Sequence, residues 1–173
     1  RAGFHAIDFT SSTNLSMGVK FHQEDPWERI ARMRAVTPNT MLSAITPGMR
    51  FMSWEKSPET VMRLALRLMA RHGVRRLQIS EPMNSADATV RIARWAHEEG
   101  IEHVVAALTF TESPVHTDEM YLQNVAAFVA DADVDAIYLK DPGGLLTVER
   151  TRSLFPKLRD DAGASTLAIH THC

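Results

Sequence analysis

Short apolar, β-branched runs alternate with amphipathic stretches at a nearly constant interval along this chain. Such alternation is the pattern of repeated strand-helix units built around a parallel sheet. Six runs read as strands: Ala6–Phe9, Met41–Thr46, Arg76–Glu81, His103–Phe110, Ala136–Asp141 and Thr166–His172. Their starts lie about 30 residues apart, the length of one βα unit. Between them, Pro58–His72 carries Val61, Leu64, Ala65, Leu68 and Met69 at i, i+3, i+4, i+7 and i+8, which predicts a helix that buries this stripe. Ser57-Pro58-Glu59-Thr60 offers it an N-cap, a proline at the first helical position and early negative charge, and Gly73 stops it. Asp25-Pro26-Trp27-Glu28 opens the preceding helix in the same way. Asn84-Ser85-Ala86-Asp87 opens the following one, which Gly100 closes.

Six strands in 173 residues predict an α/β fold that is either an open sheet or about three-quarters of a (β/α)₈ TIM barrel, which takes about 250 residues. The even spacing favours the partial barrel. No linker or low-complexity segment interrupts the series, so residues 1–173 read as a single partial domain. In either architecture the chemistry gathers at the C-terminal ends of the strands. The balance of 45% hydrophobic and 23% charged residues is that of a globular chain. With 19 Lys+Arg against 21 Asp+Glu there is no broad basic field for nucleic acid. No apolar run approaches the roughly 18 residues of a spanning helix, and the N-terminal residues lack a signal-peptide pattern. A single cysteine, Cys173, excludes a disulfide framework. The expectation is a cytoplasmic chain without membrane insertion. It starts at Arg1 and stops just past His-Thr-His, which reads as a fragment.

Among the strand ends, Thr166-Leu-Ala-Ile-His170-Thr171-His172 is the most informative, because strand alternation sends residues i and i+2 to one side and aims both imidazoles together. Two neutral imidazoles so placed suit a divalent ion such as Zn, Mn or Co; the plainer alternative is a polar strand end. Lys140-Asp141 ends the strand before it. A lysine desolvated at a barrel mouth serves as nucleophile, base or, when carbamylated, metal ligand, whereas an exposed Lys-Asp pair is merely a rim contact. Asp8, Glu81 with Asn84, and the run Thr109 to His116 add polar groups at other strand ends. There is no nucleophile elbow, P-loop or dinucleotide glycine motif. Met33, Met41, Met49, Met52, Met62 and Met69 read as core filler.

At these residues the chain resembles the carboxyltransferase domain of biotin-dependent enzymes that act on 2-oxo acids: pyruvate carboxylase, the oxaloacetate decarboxylase α-subunit and the carboxyltransferase subunit of transcarboxylase. The resemblance rests on Glu24-Asp25-Pro26-Trp27-Glu28-Arg29, on Thr111-Glu-Ser113-Pro114-Val115-His116-Thr117, on Leu139-Lys140-Asp141-Pro-Gly143-Gly-Leu145-Leu146-Thr147 and on Ile169-His170-Thr171-His172, in the family's order and spacing. It implies a metal-dependent TIM barrel of which this chain supplies strands two to seven. It further implies His170 and His172 as ligands, Lys140 as ligand or catalytic base, Glu81 at a catalytic position, and Arg50, Asn84 and Thr111 as substrate contacts. A small 2-oxo acid, biotin on a separate carrier domain or subunit, and a homo-oligomeric full protein complete what it implies.

Several positions depart from the family. Pro47-Gly48 replaces Arg-Gly, whose arginine is associated with the substrate carboxylate; Arg50 lies three residues on. Glu81 replaces Asp, Asn84-Ser85 replaces Asn-Asp, Ser11-Ser12-Thr13-Asn14 replaces Gly-Gly-Ala-Thr, and Cys173 replaces the Asp after His-x-His. Metal positions match while substrate positions diverge, so the expectation is a divergent member. A biotin-independent metal-dependent C–C lyase or condensing enzyme of the same barrel superfamily, and a catalytically impaired binding domain, are the alternative readings.

Overall fold

The six apolar runs form six parallel strands hydrogen-bonded in chain order. The computed structural model describes residues 3–51 and 55–172; Met52 and Cys173 lie outside them. The elements run β1 (Ala6–Ser11), α1 (Ser12–Met17), a π-turn at Gly18–His22, α2 (Pro26–Val36), β2 (Met41–Thr46), α3 (Glu59–His72), β3 (Val74–Ile79) and α4 (Ala86–Glu98). They continue with β4 (His103–Thr109), α5 (Asp118–Asp131), β5 (Ala136–Asp141), α6 (Val148–Asp161) and β6 (Thr166–Thr171).

Chain order decides between the two architectures the spacing left open. A doubly wound sheet reverses at a switch point and carries helices on both faces, whereas right-handed crossovers that always step the same way place every helix on one face. The packing agrees. Leu42, Leu77, Ile79, Val104, Leu108 and Leu139 share one core with Met62, Ile92, Tyr121, Phe128 and Leu154 of the helices, while Val105, Ala107 and Tyr138 form a separate small cluster. The sheet curls around that second face, and the fold is a partial TIM barrel.

Local chemistry explains where the observed elements differ from the expected ones. Gly73, at φ 114°, ends α3 in the left-handed region and feeds directly into β3, which therefore starts and stops two residues earlier than Arg76–Glu81. Ser80 and Glu81 consequently stand in the loop beyond it. The buried stripe of α3 is Met62, Ala65, Leu66, Met69 and Ala70, one residue away from the expected one, and Leu64 is 53% exposed. Apolar residues are dense enough there for two overlapping stripes, and packing selects between them. Pro58 itself caps this helix, because the Ser57 hydroxyl turns inward, accepting from Phe51 N at 3.0 Å and donating to Phe51 O at 3.3 Å. Asp25 caps α2 as expected, its Oδ1 accepting from Trp27 N at 2.8 Å. Ser85 caps α4, accepting from Ala88 N at 3.3 Å. The short α1 was not foreseen; Ser11 Oγ caps it by accepting from Asn14 N at 3.1 Å.

Candidate functional site

Barrel interiors are usually filled with bulky branched side chains. Here part of the concave face is polar, beside the apolar cluster of Val105, Ala107 and Tyr138. Alternation along β3 buries Leu77 and Ile79 against the helices and leaves Arg76 and Gln78 on the other face. Gln78 Nε2 donates to the Asp8 carboxylate and to Ser43 Oγ (3.3 Å), and Arg76 pairs with Asp8 at 3.5 Å. Ser80 continues this file at the mouth, where its Oγ accepts from Lys140 Nζ at 2.8 Å. Burial lowers the Lys140 pKa from its ordinary value.

Lys140 and His170 are register partners across β5 and β6. The imidazoles of His170 and His172 converge, with Nε2 atoms 3.0 Å apart and ring centroids 5.0 Å apart, and His170 stacks on Tyr138 at 5.8 Å. Burial, then the positive charges of Lys140 and His172, hold the His170 pKa below its usual value. The Tyr138 phenol is pushed up to about 12, by burial first and then by the charge of Asp8. Two imidazole nitrogens that share one ion through bonds of about 2.1 Å lie roughly 3.0–3.4 Å apart, so the pair fits two positions of a metal site. Among the described residues no group of three His, Cys, Asp or Glu gathers round one point. Lys140, the expected third ligand, is bonded as an amine to Ser80.

The remaining candidates fall into different roles. Asp141 is fully buried; Oδ1 accepts from Leu145 N at 2.9 Å, and Oδ2 accepts from Leu146 N at 2.8 Å and Thr171 Oγ1 at 3.2 Å. Burial raises its pKa, but the bonds from Leu146, Leu145, Thr171 and Gly143 outweigh this and leave it below the ordinary carboxylate value. Glu81 is buried as well, and its Oε2 accepts from Met83 N at 3.0 Å and Ser85 N at 2.7 Å. Gly48, at φ 68°, lets the preceding loop close on it: a Cβ there would stand 2.8 Å from Glu81 Cγ. The Asn84 amide donates to Thr109 O and accepts from Thr109 N, both at 2.8 Å, which joins the β3–α4 loop to the end of β4. Thr111 is held through its backbone, with N donating to Tyr121 Oη at 3.1 Å and O accepting from it at 3.2 Å.

A pocket of about 240 Å³ opens beside Glu81, lined by Met49, Arg50, Lys56, Ser85, Ala88 and Arg91. The structure therefore groups Lys140, His170 and His172 around the end of β5, and Arg50 with Glu81 in the pocket. Ser80, Tyr138, Lys56 and Arg91 were not singled out from sequence. Tyr138 carried a signal, standing two residues before Lys140 on the same strand. Ser80 carried none, since its partner is 60 residues away.

This is a singly wound, partial parallel barrel whose mouth bears an imidazole pair, a desolvated amine and a buried carboxylate, a set suited to acid-base and metal chemistry on a small molecule. No family model matches the chain. It is 25% identical over 171 residues to a pyruvate carboxylase subunit from Methanocaldococcus jannaschii, covering 99% of this chain and 30% of that protein. It is 26% identical over 172 residues to the methylmalonyl-CoA carboxyltransferase 5S subunit of Propionibacterium freudenreichii subsp. shermanii, covering 99% and 34%. The chain thus spans about a third of the length of the curated relatives it matches. The carboxyl transferase domain from Rhizobium etli pyruvate carboxylase, solved with pyruvate, shares its fold at a TM-score of 0.84 and 24% identity, over 95% of this chain and 28% of that one. The comparisons bear out the resemblance to the carboxyltransferase domain of biotin-dependent 2-oxo acid enzymes.

Proposed function

We propose that the protein carrying this chain moves a carboxyl group to or from a 2-oxo acid, with biotin on a separate carrier domain or subunit as the CO₂ carrier. The observation that carries this reading is the convergence of His170 and His172 beside Lys140, in a chain similar over 99% of its length to carboxylase and carboxyltransferase subunits. His170 and His172 would hold a divalent ion, Zn, Mn or Co, with Lys140 as the third ligand once carbamylated. Such an ion, when bound, polarises the 2-oxo group and stabilises the enolate left as carboxylate is lost or gained.

The chain's own residues then position the substrate and move protons. Lys140, anchored by Ser80, is ligand or base at the reacting carbon. Glu81 directs Oε2 at two backbone donors, so Oε1 is the oxygen available for proton transfer. Arg50 faces the substrate carboxylate in place of the arginine that Pro47 lacks. Asn84 shapes the loop wall through Thr109, and Thr111 borders the substrate on a strand end fixed by Tyr121. We place this barrel segment, a single partial domain, in a cytoplasmic homo-oligomer; among the described residues no helix is long and apolar enough to cross a membrane.

Exchange of labelled CO₂ into a 2-oxo acid by the full-length protein with its carrier tests the reading. The expected result is exchange that avidin blocks. Exchange that avidin leaves untouched favours the biotin-independent lyase, and tight binding of the acid without exchange favours a binding domain.

A further inference from the structure

The His170 imidazole stacks on two rings: His172, with centroids 5.0 Å apart and planes at 23°, and Tyr138, at 5.8 Å and 22°. A ligating imidazole is ordinarily oriented by a hydrogen bond at the ring nitrogen that does not face the ion. Among the described residues the His170 ring makes a single hydrogen-bonding contact, between its Nε2 and His172 Nε2 at 3.0 Å. An ion held by both nitrogens takes the lone pair that this contact uses, so the contact does not survive binding. The Tyr138 contact does survive, because it covers the plane of the imidazole rather than a ring nitrogen.

The register of the sheet sets Tyr138 in this place. Tyr138 and Lys140 share the concave face of β5, as Ala168 and His170 share that of β6. Across the sheet Tyr138 pairs with Ala107 of β4 on one side and with Ala168 of β6 on the other. Two methyl groups leave the phenol ring room to lean toward the mouth, where His170 stands opposite Lys140. Tyr138 is 5% exposed and packs against Val105 and Ala107, so the ring that meets His170 is itself held. His170 is exposed, and without that ring its side chain is free to turn into solvent. We infer that Tyr138 is a positioning residue for His170 as a metal ligand: its ring face holds the imidazole so that Nε2 stays turned toward the ion position shared with His172. The inference rests on the metal-bearing reading above and adds a residue to it.

Two variants of the full-length protein separate the ring face from plain packing. Tyr138→Leu keeps an apolar side chain against Val105 and Ala107 but has no ring, whereas Tyr138→Phe keeps the ring and loses the hydroxyl that meets Ser80. Zn affinity, read by competition with a chromophoric chelator, falls about tenfold in Tyr138→Leu and stays within about twofold of the wild type in Tyr138→Phe. With Co in place of Zn, the visible absorption bands change in Tyr138→Leu and not in Tyr138→Phe. A residue that only fills space gives a lower urea midpoint in Tyr138→Leu with affinity and spectrum unchanged, and that result overturns the inference. Equal loss of affinity in both variants assigns the effect to the hydroxyl and also overturns it. The metal-free protein carrying His172→Ala reads the stack with Tyr138 intact, since Tyr138 is then the ring left against His170. Its His170 ring protons are displaced upfield in carbon-proton correlation spectra, and their absence of displacement overturns the inference whether or not Tyr138→Leu folds. A wild type that takes up none of Zn, Mn or Co removes the ligand assignment and this inference with it. Uptake that Tyr138→Leu leaves unchanged removes this inference alone.

Discussion

Lys140 Nζ on β5 donates to Ser80 Oγ beyond β3 across 2.8 Å, passing over β4. The charged amine is thereby bonded on one side and desolvated on the other. Ser80→Ala removes the acceptor that favours the ammonium, so the Lys140 pKa falls further. Amine-selective labelling of Lys140, followed by mass spectrometry from neutral to alkaline pH, will show half-maximal labelling at lower pH in the variant. Ser80→Thr, which keeps the hydroxyl, restores the wild-type profile. An unshifted profile in Ser80→Ala refutes the relationship.

His170 on β6 and His172 just past it are exposed in this chain, so replacing either with alanine changes its stability by no more than about 0.5 kcal/mol. Both substitutions lower the stoichiometry of Zn, Mn or Co that co-purifies with the full-length protein, measured by plasma mass spectrometry. Metal content unchanged in both variants sinks the ligand assignment.

Gly144 has φ 65°, and a Cβ there would stand 2.7 Å from the His172 carbonyl oxygen. Gly144→Ala forces the end of β6 away and strains the bond from His172 N to Asp141 O, now 3.0 Å. The left-handed backbone alone costs about 1–3 kcal/mol. Reduced metal retention accompanies the loss of stability. The control is Gly143→Ala, whose Cβ would meet only the Leu145 side chain, at 3.4 Å and beyond; equal metal retention in the two variants counts against the placement of His172.

Asp141 joins the β5–α6 loop to β6 from a fully buried position. Asp141→Ala leaves three backbone donors, those of Gly143, Leu145 and Leu146, and the Thr171 hydroxyl without their acceptor and costs about 2–4 kcal/mol, read as a lower urea midpoint. In combination with Thr171→Val the losses are less than additive, because both variants break the same bond.

The bond from Arg150, then that from Lys157, holds the Asp118 pKa below its ordinary value of 3.8. The folded state therefore binds fewer protons at this group than the unfolded chain, and stability rises with pH across the interval between the two pKa values. Its contribution is full above the unfolded value and disappears as pH falls through the lower folded one. Urea midpoints measured down the acid range will fall less steeply for Asp118→Asn than for the wild type. Parallel curves would show that the pair of cations does not stabilise the carboxylate.

Much of the fold was legible because its signals are local. β2 and β5 have the expected bounds, since each is an apolar run closed by turn-forming residues, Pro47-Gly48 and Pro142-Gly143. Asp25 and Ser85 cap helices as their spacing implied. The shifts in β3 and in the stripe of α3 arose where neighbouring registers were nearly equal and only tertiary packing separated them. In the site, the alternation of His170 and His172 on one strand was visible from sequence. The contact of Ser80 with Lys140, the commitment of Asn84 to Thr109, and the pocket formed by Arg50, Lys56, Glu81 and Arg91 were not. Each depends on which loops the barrel brings together, and no periodicity within one element encodes that.

The chain-order sheet also has a kinetic meaning. Every strand from β2 onward pairs with the strand that immediately precedes it in sequence, so each closure spans only one βα unit and the sheet can grow one unit at a time as the chain is made. Built in that order, the Ser80 and Lys140 platform is complete before the imidazole strand docks. His170 and His172 are then placed against an amine whose position is already fixed.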